Sequence, residues 1–386
     1  MNPPHVLVVL GTEGAWSRGV LRGFMANAHE EDWKLLHYWP GSNLKWVTEE
    51  WTPAAVVFGP ELDAETMARF GSAALVSVPL DRSADGIASV CPDEERVAAL
   101  AFEHLLSRGF RHVSTFRYDD AAFARTRERA FVEQARAAGA EVLPGWGNEE
   151  YSQSERQERP AAMAAWLCSL PKPCGIFTCT DGWGNTVTRY AREVGLRIPE
   201  DIALVGADND VLGCELLSPP LSSVMIPWNE IGRQAALLVR TALSTRPIAG
   251  RRVVVPPTAV VARRSSDVLA IDDALVAQAV AWIREHAERR LTVPMVARAV
   301  ASGRQRLERR FRGALDRTIQ EEIRRAHVDR ARHLLATTRA SMAEVAKRSG
   351  FTNAALLNVA FRRELGMPPG TYRRRVQGQG SGGNDD

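Results

Sequence analysis

The stretch Ile202-Ala-Leu-Val-Gly-Ala-Asp-Asn-Asp210 decides the fold class, because an apolar run ends there in a cluster of acidic and amide side chains. A short unbroken apolar run of this kind is typical of a strand that is buried on both faces of a parallel sheet. Similar runs, separated by amphipathic helical segments, occur at residues 6–10, 54–58, 112–116 and 175–179. Strands that alternate with helices predict an α/β fold with helices on both faces of a parallel sheet.

The length and composition of the chain limit what it can be. Its 386 residues fit two or three domains, and the alternating pattern over residues 1–261 is long enough for two lobes. Hydrophobic residues at 45% and charged residues at 25% are typical of a globular protein. The apolar run at residues 6–10 is too short for the core of a signal peptide, and no apolar window is long enough to cross a membrane. The five cysteines are odd in number and lack metal spacing, so we expect reduced thiols and a cytoplasmic, nucleoid-associated protein.

The small net charge of +3 conceals a strong asymmetry. Residues 282–375 contain 22 Lys plus Arg and nine Asp plus Glu, a net charge of +13, so the rest of the chain carries −10. A basic C-terminal module behind an acidic body indicates that the C-terminal end binds a polyanion.

Helical periodicity dominates the C-terminal region. We expect a linker at 262–273, a helical domain at 274–376 and a disordered tail at 377–386. Within the domain, two short helices separated by a sharp turn occur twice, with second helices at 304–315 and 354–365. Two helix-turn-helix units in the one strongly basic region favour docking in the major groove of DNA.

The loops after the predicted strands of the body carry a consistent chemistry. Ligands of open parallel sheets bind outside the carboxyl ends of the strands. Acids and arginine there can hydrogen-bond the hydroxyls of a neutral sugar, and an indole can cover its C–H face. The candidate ligand-binding residues are Glu13, Trp16, Asp93, Arg125, Arg127, Asp181, Trp183, Asp208 and Asn209. Structural roles stay open for three of them, since Asp93 is equally suited to cap a helix, Trp183 to pack under its loop and Arg125 to be a solvated helix residue.

The sequence offers little support for catalysis. It has no glycine-rich nucleotide fingerprint, no Walker sequence, no Gly-x-Ser-x-Gly elbow and no His-Glu-x-x-His pair. We therefore expect no enzyme, no cofactor and no metal site.

The body resembles the effector domain of LacI/GalR regulators, which has a two-lobed periplasmic-binding-protein-like fold. The resemblance rests on Val205-Gly206-x-Asp208-Asn209, on Pro220-Leu-Ser-Ser-Val224 and on Arg127-x-x-Ala130-Phe131. It implies that Asp93, Arg127 and Asp208 line a sugar cleft between the lobes. The chain departs from that family in starting directly at the first strand, without an N-terminal helix-turn-helix.

The C-terminal module resembles the DNA-binding domain of the AraC/XylS family. The resemblance covers about 100 residues and includes Leu307-Glu-Arg-Arg-Phe311, Gly350-Phe351 and Phe361-Arg-Arg-x-x-Gly366-x-x-Pro369-x-x-Tyr372. It implies that the second helix of each unit enters the major groove. The candidate DNA-binding residues are Arg304, Gln305, Arg306, Arg309, Arg310, Asn353, Ala354, Ala355, Asn358 and Arg362.

The two units differ in the groups that they offer to bases. The first is rich in Arg and Gln, which pair with guanine and adenine edges. The second offers Ala354, Ala355 and Leu356, which can contact a thymine methyl group or nothing. We therefore expect most base discrimination from the first unit, and position and backbone affinity from the second.

The order of the two domains resembles that of bacterial xylose-operon regulators. This resemblance implies a sugar-responsive transcription factor, an activator that responds to D-xylose and forms a homodimer through its effector domain, with RNA polymerase as a further partner. The residues alone leave a ligand-independent or non-sugar-responsive regulator, a sugar-metabolising enzyme and a sugar-transport protein open.

Overall fold

The computed structural model describes residues 3–42, 44, 53–60, 62–80, 85–118, 120–147, 159–244, 247–268, 271 and 273–377. These residues form two α/β lobes and a C-terminal helical domain, the fold class that the sequence predicts. No helix in the described ranges is both long and apolar enough to cross a membrane.

The first lobe is built on a six-stranded parallel sheet. Alternate residues of its central strands face opposite layers, with Val6 and Val8 on one side and Leu7 and Val9 on the other. Its strands, in spatial order, are β11 (Arg252–Val255), β5 (Ala88–Pro92), β4 (Ala74–Ser77), β3 (Ala55–Phe58), β1 (His5–Val9) and β2 (Lys34–Tyr38). Its helices are α1 (Ala15–Ala28), α2 (Ala64–Ala68) and α8 (Trp228–Leu243).

The second lobe contains a second six-stranded sheet, parallel except where β12 runs antiparallel to β10. Its strands, in spatial order, are β12 (Ala259–Val261), β10 (Ser222–Met225), β9 (Ile202–Ala207), β8 (Cys174–Phe177), β6 (His112–Thr115) and β7 (Glu141–Val142). Its helices are α3 (Glu94–Ser107), α4 (Ala122–Ala137), α5 (Arg159–Ser169), α6 (Asp181–Glu193) and α7 (Val211–Leu216).

The chain passes between the two sheets at three places, near residues 92–94, 226–228 and 256–258. These crossings are hydrogen-bonded to one another. The Asp93 amide donates to the Val255 carbonyl at 3.0 Å, and the Thr258 amide donates to the Met225 carbonyl at 3.0 Å. Short paired crossings of this kind form a hinge about which two rigid lobes can close on a ligand.

Helices α1 and α8 approach each other through glycines. A Cβ atom on Gly232 would lie 1.9 Å from the Val20 carbonyl oxygen, and one on Gly23 would lie 1.8 Å from the Asn229 carbonyl oxygen. Both glycines are therefore required by backbone-to-backbone packing.

The helical domain consists of two units that share one long helix, α12 (Ile319–Thr337). The first half of α12 packs in the core of the first unit around Phe311, and its second half packs in the core of the second unit around Phe361. The other helices are α9 (Ala274–Glu285), α10 (Val293–Ala299), α11 (Arg304–Leu315), α13 (Met342–Arg348), α14 (Ala354–Leu365) and α15 (Pro369–Gln377).

Hydroxyl side chains cap the start of two helices in this domain. Ser341 caps α13 by accepting from the Glu344 amide at 3.2 Å, which is one half of a capping box. The complete box is at Thr318 and Glu321, where both reciprocal bonds form. Helix α9 is capped by Asp273 and ends at Glu285.

Part of the segment predicted as a linker, 262–273, is ordered structure packed on the second lobe. Residues Arg264–Ser266 form a turn of 3₁₀ helix whose two serines are buried. Ser265 Oγ donates to the Leu204 carbonyl at 2.7 Å, and Ser266 Oγ donates to Ser222 Oγ at 2.7 Å. At the other end, Asp273 caps α9. The predicted tail starts one residue too early, since α15 ends at Gln377, and residues 378–386 lie outside the described ranges.

Candidate functional site

Arg127 lies at the centre of the candidate ligand cleft. Its side chain is only 2% exposed. Its Nε pairs with Glu94 Oε2 at 2.5 Å, its Nη1 donates to the Cys179 carbonyl at 2.7 Å, and Asp208 Oδ1 lies 3.7 Å from Nη1. The guanidinium also stands over the ring of Phe123, 5.0 Å from its centroid. One cation from α4 thus connects the start of α3 to the loops after β8 and β9.

The acids around Arg127 are held in an environment that disfavours their charge. Burial raises the pKa of Glu94 even though Arg127 opposes the shift, and burial raises the pKa of Asp208 well above its usual range. For Arg127 itself, burial works against the charged form, but Glu94 and Asp208 outweigh it and raise its pKa. The guanidinium therefore stays charged while the carboxyls around it bind protons more readily than usual.

Asp181 adds a third buried carboxyl beside this group. Its Oδ2 accepts from the Asp210 amide at 2.8 Å, and its Oδ1 has no hydrogen-bond partner among the described residues. Burial raises its pKa to about 7. A Cβ on Gly206 would lie 2.3 Å from Oδ1, so only glycine fits at that point of β9.

The backbone at the end of β9 is strained. Asp208 has a φ of 108° and Asn209 a φ of 50°, in the region that favours glycine. Such strain in residues other than glycine is concentrated at ligand sites, where the surrounding structure holds it in place. In this conformation the Asp208 carboxyl lies 3.7 Å from the Arg127 guanidinium.

Two aromatic side chains complete the second-lobe wall. Trp183 is half-buried and stacks on Phe123, with ring centroids 6.1 Å apart and planes 17° apart. Because Phe123 also lies under Arg127, the predicted indole is linked to the guanidinium by one intervening ring.

The remaining candidate residues have structural partners. Asp93 caps α3 by accepting from the Arg96 amide at 2.9 Å. Arg125 is half-exposed and pairs with Asp120 at 2.6 Å. The side-chain oxygen of Asn209 accepts from Arg263 Nη2 at 2.9 Å.

Two candidates belong to the first lobe. Trp16 is half-buried beside Trp228, with ring centroids 6.2 Å apart, and Glu13 is exposed in the loop after β1. The structure therefore brings Arg127, Asp181, Trp183 and Asp208 together on one lobe. It leaves Glu13 and Trp16 on the lobe across the cleft.

Sequence reasoning missed Glu94 and Phe123. An acid such as Glu94 in the first turn gives no specific signal, because acids there are favourable at the N-terminus of any helix. The available signal was its position directly after a strand end that was already selected for Asp93. Phe123 gave no signal beyond its place four residues before Arg127, one turn away on the same helix face.

The second helix of the first unit, α11, presents a strongly basic surface. Leu307 and Phe311 are buried, whereas Arg304, Gln305, Arg306 and Arg309 are exposed, as a groove-binding helix requires. Two of its cations are partly engaged. Arg304 pairs with Glu308 at 2.8 Å, and Arg310 pairs with Asp273 at 2.5 Å.

Helix α14 has the same pattern of buried residues as α11 but exposes different side chains. The side chain of Asn353 accepts from the Leu356 amide at 2.9 Å, so its oxygen caps the helix. Ala355 and Arg362 are exposed, and Ala354 and Asn358 are half-exposed. The exposed large hydrophobic side chains of α14 are Leu356, 51% exposed, and Val359, 64% exposed.

The helical domain is docked on the end of α3 that lies far from Arg127. Arg317 Nη2 donates to the Ser107 carbonyl at 2.7 Å, and its Nε lies 2.7 Å from Glu322 Oε2. Beside this contact, Arg108 Nε donates to the Ser266 carbonyl at 2.7 Å, and its Nη1 lies 3.0 Å from His104 Nδ1.

His104 is neutral in this arrangement. Its Nδ1 accepts from Arg108, so its Nε2 carries the proton and donates to Ser266 Oγ at 2.7 Å. Burial, reinforced by the nearby arginines 108, 332 and 284, holds its pKa well below the usual range. Burial and Arg284 also lower the pKa of Arg108, to about 9.

Comparison with known proteins identifies both parts of the chain. The family model of the periplasmic binding protein-like domain matches residues 102–266, and that of a helix-turn-helix domain matches residues 296–375. The xylose operon regulatory protein of Escherichia coli strain K12 is 29% identical over 290 residues, 74% of this chain and 73% of its own length. Its counterpart from Haemophilus influenzae strain Rd is 28% identical over 74% of each chain.

The chain is a DNA-binding regulator of transcription. It joins a periplasmic binding protein-like effector domain to a C-terminal helix-turn-helix domain of the AraC type, as the sequence predicts. The solved structure of a xylose-binding transcription activator, xylR, has this same architecture. It superposes with a TM-score of 0.60 at 24% identity and covers 96% of this chain and 98% of its own. The prediction that the regulator is not an enzyme is confirmed by its relatives, which are operon regulators.

Proposed function

We propose that the regulator binds a neutral sugar, D-xylose in the first instance, between its lobes and that binding changes its hold on DNA. The observation that carries this proposal is the buried Arg127, whose guanidinium lies beside both Glu94 and Asp208. A guanidinium and carboxylates around one space can donate to and accept from the hydroxyls of one polyol. The identity of xylose is supported by the names of the relatives.

The charge balance of the cleft favours a neutral ligand. Glu94 and Asp208 flank the Arg127 guanidinium and Asp181 is buried near Asp208, while the nearby Arg263 is already paired with Glu215. A sugar acid or sugar phosphate would therefore add negative charge to a site in which carboxyls outnumber the available cations. Burial, which raises the pKa of Glu94 and of Asp181, would likewise disfavour an anionic ligand beside them. A polyol satisfies these oxygens with hydroxyl protons and adds no charge.

Ligand contacts are proposed for both lobes. On the second lobe we assign Glu94, Arg127, Asp181, Trp183 and Asp208. Glu13 and Trp16 of the first lobe remain predicted contacts that reach the sugar when the lobes close about the crossings.

Helix α3 is the proposed connection between the cleft and DNA. Glu94 lies in its first turn and binds Arg127, and Ser107 ends it and accepts from Arg317 of the helical domain. Its 14 residues extend about 21 Å. Movement of its first turn on lobe closure would therefore shift the surface on which the helical domain is docked, and the coupling would be reciprocal.

The remaining assignments are proposals of the same kind. We place the effector domain at 1–261 with the 3₁₀ turn at 264–266 as an extension, and the DNA-binding domain at 274–376. We propose a homodimer formed through the effector domain, activation through contact with RNA polymerase, and a cytoplasmic site of action at the nucleoid.

Thermal unfolding of the full chain tests the sugar proposal. D-xylose at a hundred times its dissociation constant would stabilise the fold by about 2.7 kcal/mol, a shift of several degrees. The parallel samples contain D-ribose, D-glucose, D-xylonate and D-xylose 5-phosphate, and the last two are expected to give no shift. The Asp208→Asn variant should lose the shift, whereas Glu133→Gln, on the exposed face of α4, should keep it. No shift with any sugar would refute the proposal and leave a ligand-independent regulator.

A further inference from the structure

The two groove helices of the helical domain are structural copies of each other. Helices α11 and α14 both have 12 residues and begin 50 positions apart. At this offset, Leu307 matches Leu357 and Phe311 matches Phe361, and all four are fully buried. Each helix ends in a residue of left-handed conformation, Asp316 with φ 51° and Gly366 with φ 69°. Their outer faces can therefore be compared position by position.

The comparison shows a change of chemistry at two matched positions. Arg306 and Arg309 of the first unit correspond to Leu356 and Val359 of the second. All four side chains are exposed. Because residues three apart share a helix face, each pair forms one patch, cationic on α11 and aliphatic on α14.

The surroundings of the aliphatic patch indicate what covers it. Arg362 and Arg363 are exposed further along α14. The acid that follows them, Glu364, is neutralised by Arg324 at 2.6 Å. An aliphatic patch bordered by exposed arginines fits a surface that combines apolar groups with negative charge. The major groove of DNA offers both, in the 5-methyl group of thymine and the flanking phosphates.

We propose that Leu356 and Val359 recognise thymine methyl groups in the DNA segment bound by the second unit. This inference rests on the proposed DNA-binding function and deepens it. The first unit would then select bases through hydrogen bonds to their edges, and the second would select thymine through van der Waals contact. Arg362 and Arg363 would hold the adjacent phosphates.

Deoxyuridine substitution tests the inference directly, since uracil differs from thymine only by the missing methyl group. The full-length protein first selects its sites from random-sequence duplexes. Each thymine of a selected site is then replaced by deoxyuridine, and dissociation constants are measured by fluorescence anisotropy. Removal of a contacted methyl group should weaken binding about four-fold. The effect should be confined to the segment that the second unit protects from cleavage.

Two variants separate the two units. The Leu356→Ala/Val359→Ala protein should bind thymine and deoxyuridine duplexes equally well. The matched control, Arg306→Ala/Arg309→Ala, should bind all duplexes more weakly but keep the deoxyuridine effect. Circular dichroism checks that both variants are folded. The deoxyuridine series on the wild-type protein tests the inference even if a variant does not fold.

Several results would overturn the inference. The first is that the wild type binds every deoxyuridine duplex as tightly as the thymine duplex. The second is that the DNA segment protected by the second unit contains no thymine. The third is that the Leu356→Ala/Val359→Ala protein still distinguishes thymine from uracil. A double variant with unchanged DNA affinity but lower transcription would instead assign the patch to a protein partner. Failure to select any DNA would refute the DNA-binding function and this inference with it.

Discussion

Replacement of Arg127 by methionine tests whether the cleft is organised around one buried cation. Methionine keeps much of the aliphatic stem and removes the ion pair to Glu94 at 2.5 Å and the hydrogen bond to the Cys179 carbonyl at 2.7 Å. Glu94 and Asp208, with side chains 16% and 21% exposed, would then have lost their common counter-charge. Removing one partner of a buried ion pair costs about 3–5 kcal/mol.

The lower end of that range is expected here. The pKa values of both carboxyls are already raised, so they can take up protons and reduce the penalty. A loss of about 3 kcal/mol corresponds to roughly 6–12 °C in melting temperature for a domain of this size. The deficit of the variant should shrink as the pH falls from 8 to 5, because protonated carboxyls need no counter-charge.

The assay is urea unfolding of the wild type, of Arg127→Met, of Glu94→Gln and of the double variant. Removing both partners of a buried pair is often nearly neutral, so the double variant should recover much of the stability lost by Arg127→Met. Arg125→Met is the matched control, since its pair with Asp120 is half-exposed and is worth less than about 1 kcal/mol. A loss below about 1 kcal/mol for Arg127→Met, or strictly additive single variants, would refute the reasoning.

Three further predictions address a buried carboxyl of the candidate cleft, the packing of α1 on α8 and the connection to DNA. Because burial raises the pKa of Asp181 from 3.8 to about 7, the folded state binds its proton more tightly. The free energy of unfolding relative to Asp181→Asn should therefore fall as the pH rises from about 4 to about 7, as urea titrations at each pH would measure. Gly232→Ala forces a Cβ atom against the backbone of α1 and should lower the free energy of unfolding by about 1–3 kcal/mol, measured by urea titration. Its control, Gly313→Ala, places the Cβ in open space on α11 and should leave the free energy of unfolding unchanged or slightly higher. Arg317→Gln weakens the contact with the end of α3, so sugar should change DNA affinity less in anisotropy measurements while its own dissociation constant, from calorimetry, stays the same.

The sequence is most informative where local periodicity and burial agree. Continuous apolar runs predict β1, β3, β6, β8 and β9, and these strands form the centres of both sheets. The edge strand β2 was not predicted, because its residues are mostly half-exposed or exposed and carry no continuous apolar signal. The hinge was likewise not predictable, because it depends on which sheet each strand joins, and pairing partners far apart in the chain leave no local pattern.

The candidate site shows the same limit at the level of single residues. Asp208 and Arg127 follow from position after a strand and from a family resemblance, and the structure brings them to within 3.7 Å of each other. The resemblance also implied a cleft role for Asp93, which caps α3 in the structure, and the next residue, Glu94, pairs with the arginine without having been a candidate. Which of two adjacent acids points into a cleft depends on helix phase, and composition does not specify that phase.

The difference between α11 and α14 gives the bound DNA a direction. A site whose bases match the cationic face of α11 at one end and the aliphatic face of α14 at the other does not match them when it is reversed. Each copy of the regulator would therefore bind its site in one orientation along the double helix. The end of the molecule that faces a promoter would then be determined by the order of bases in the site, before any partner is recruited.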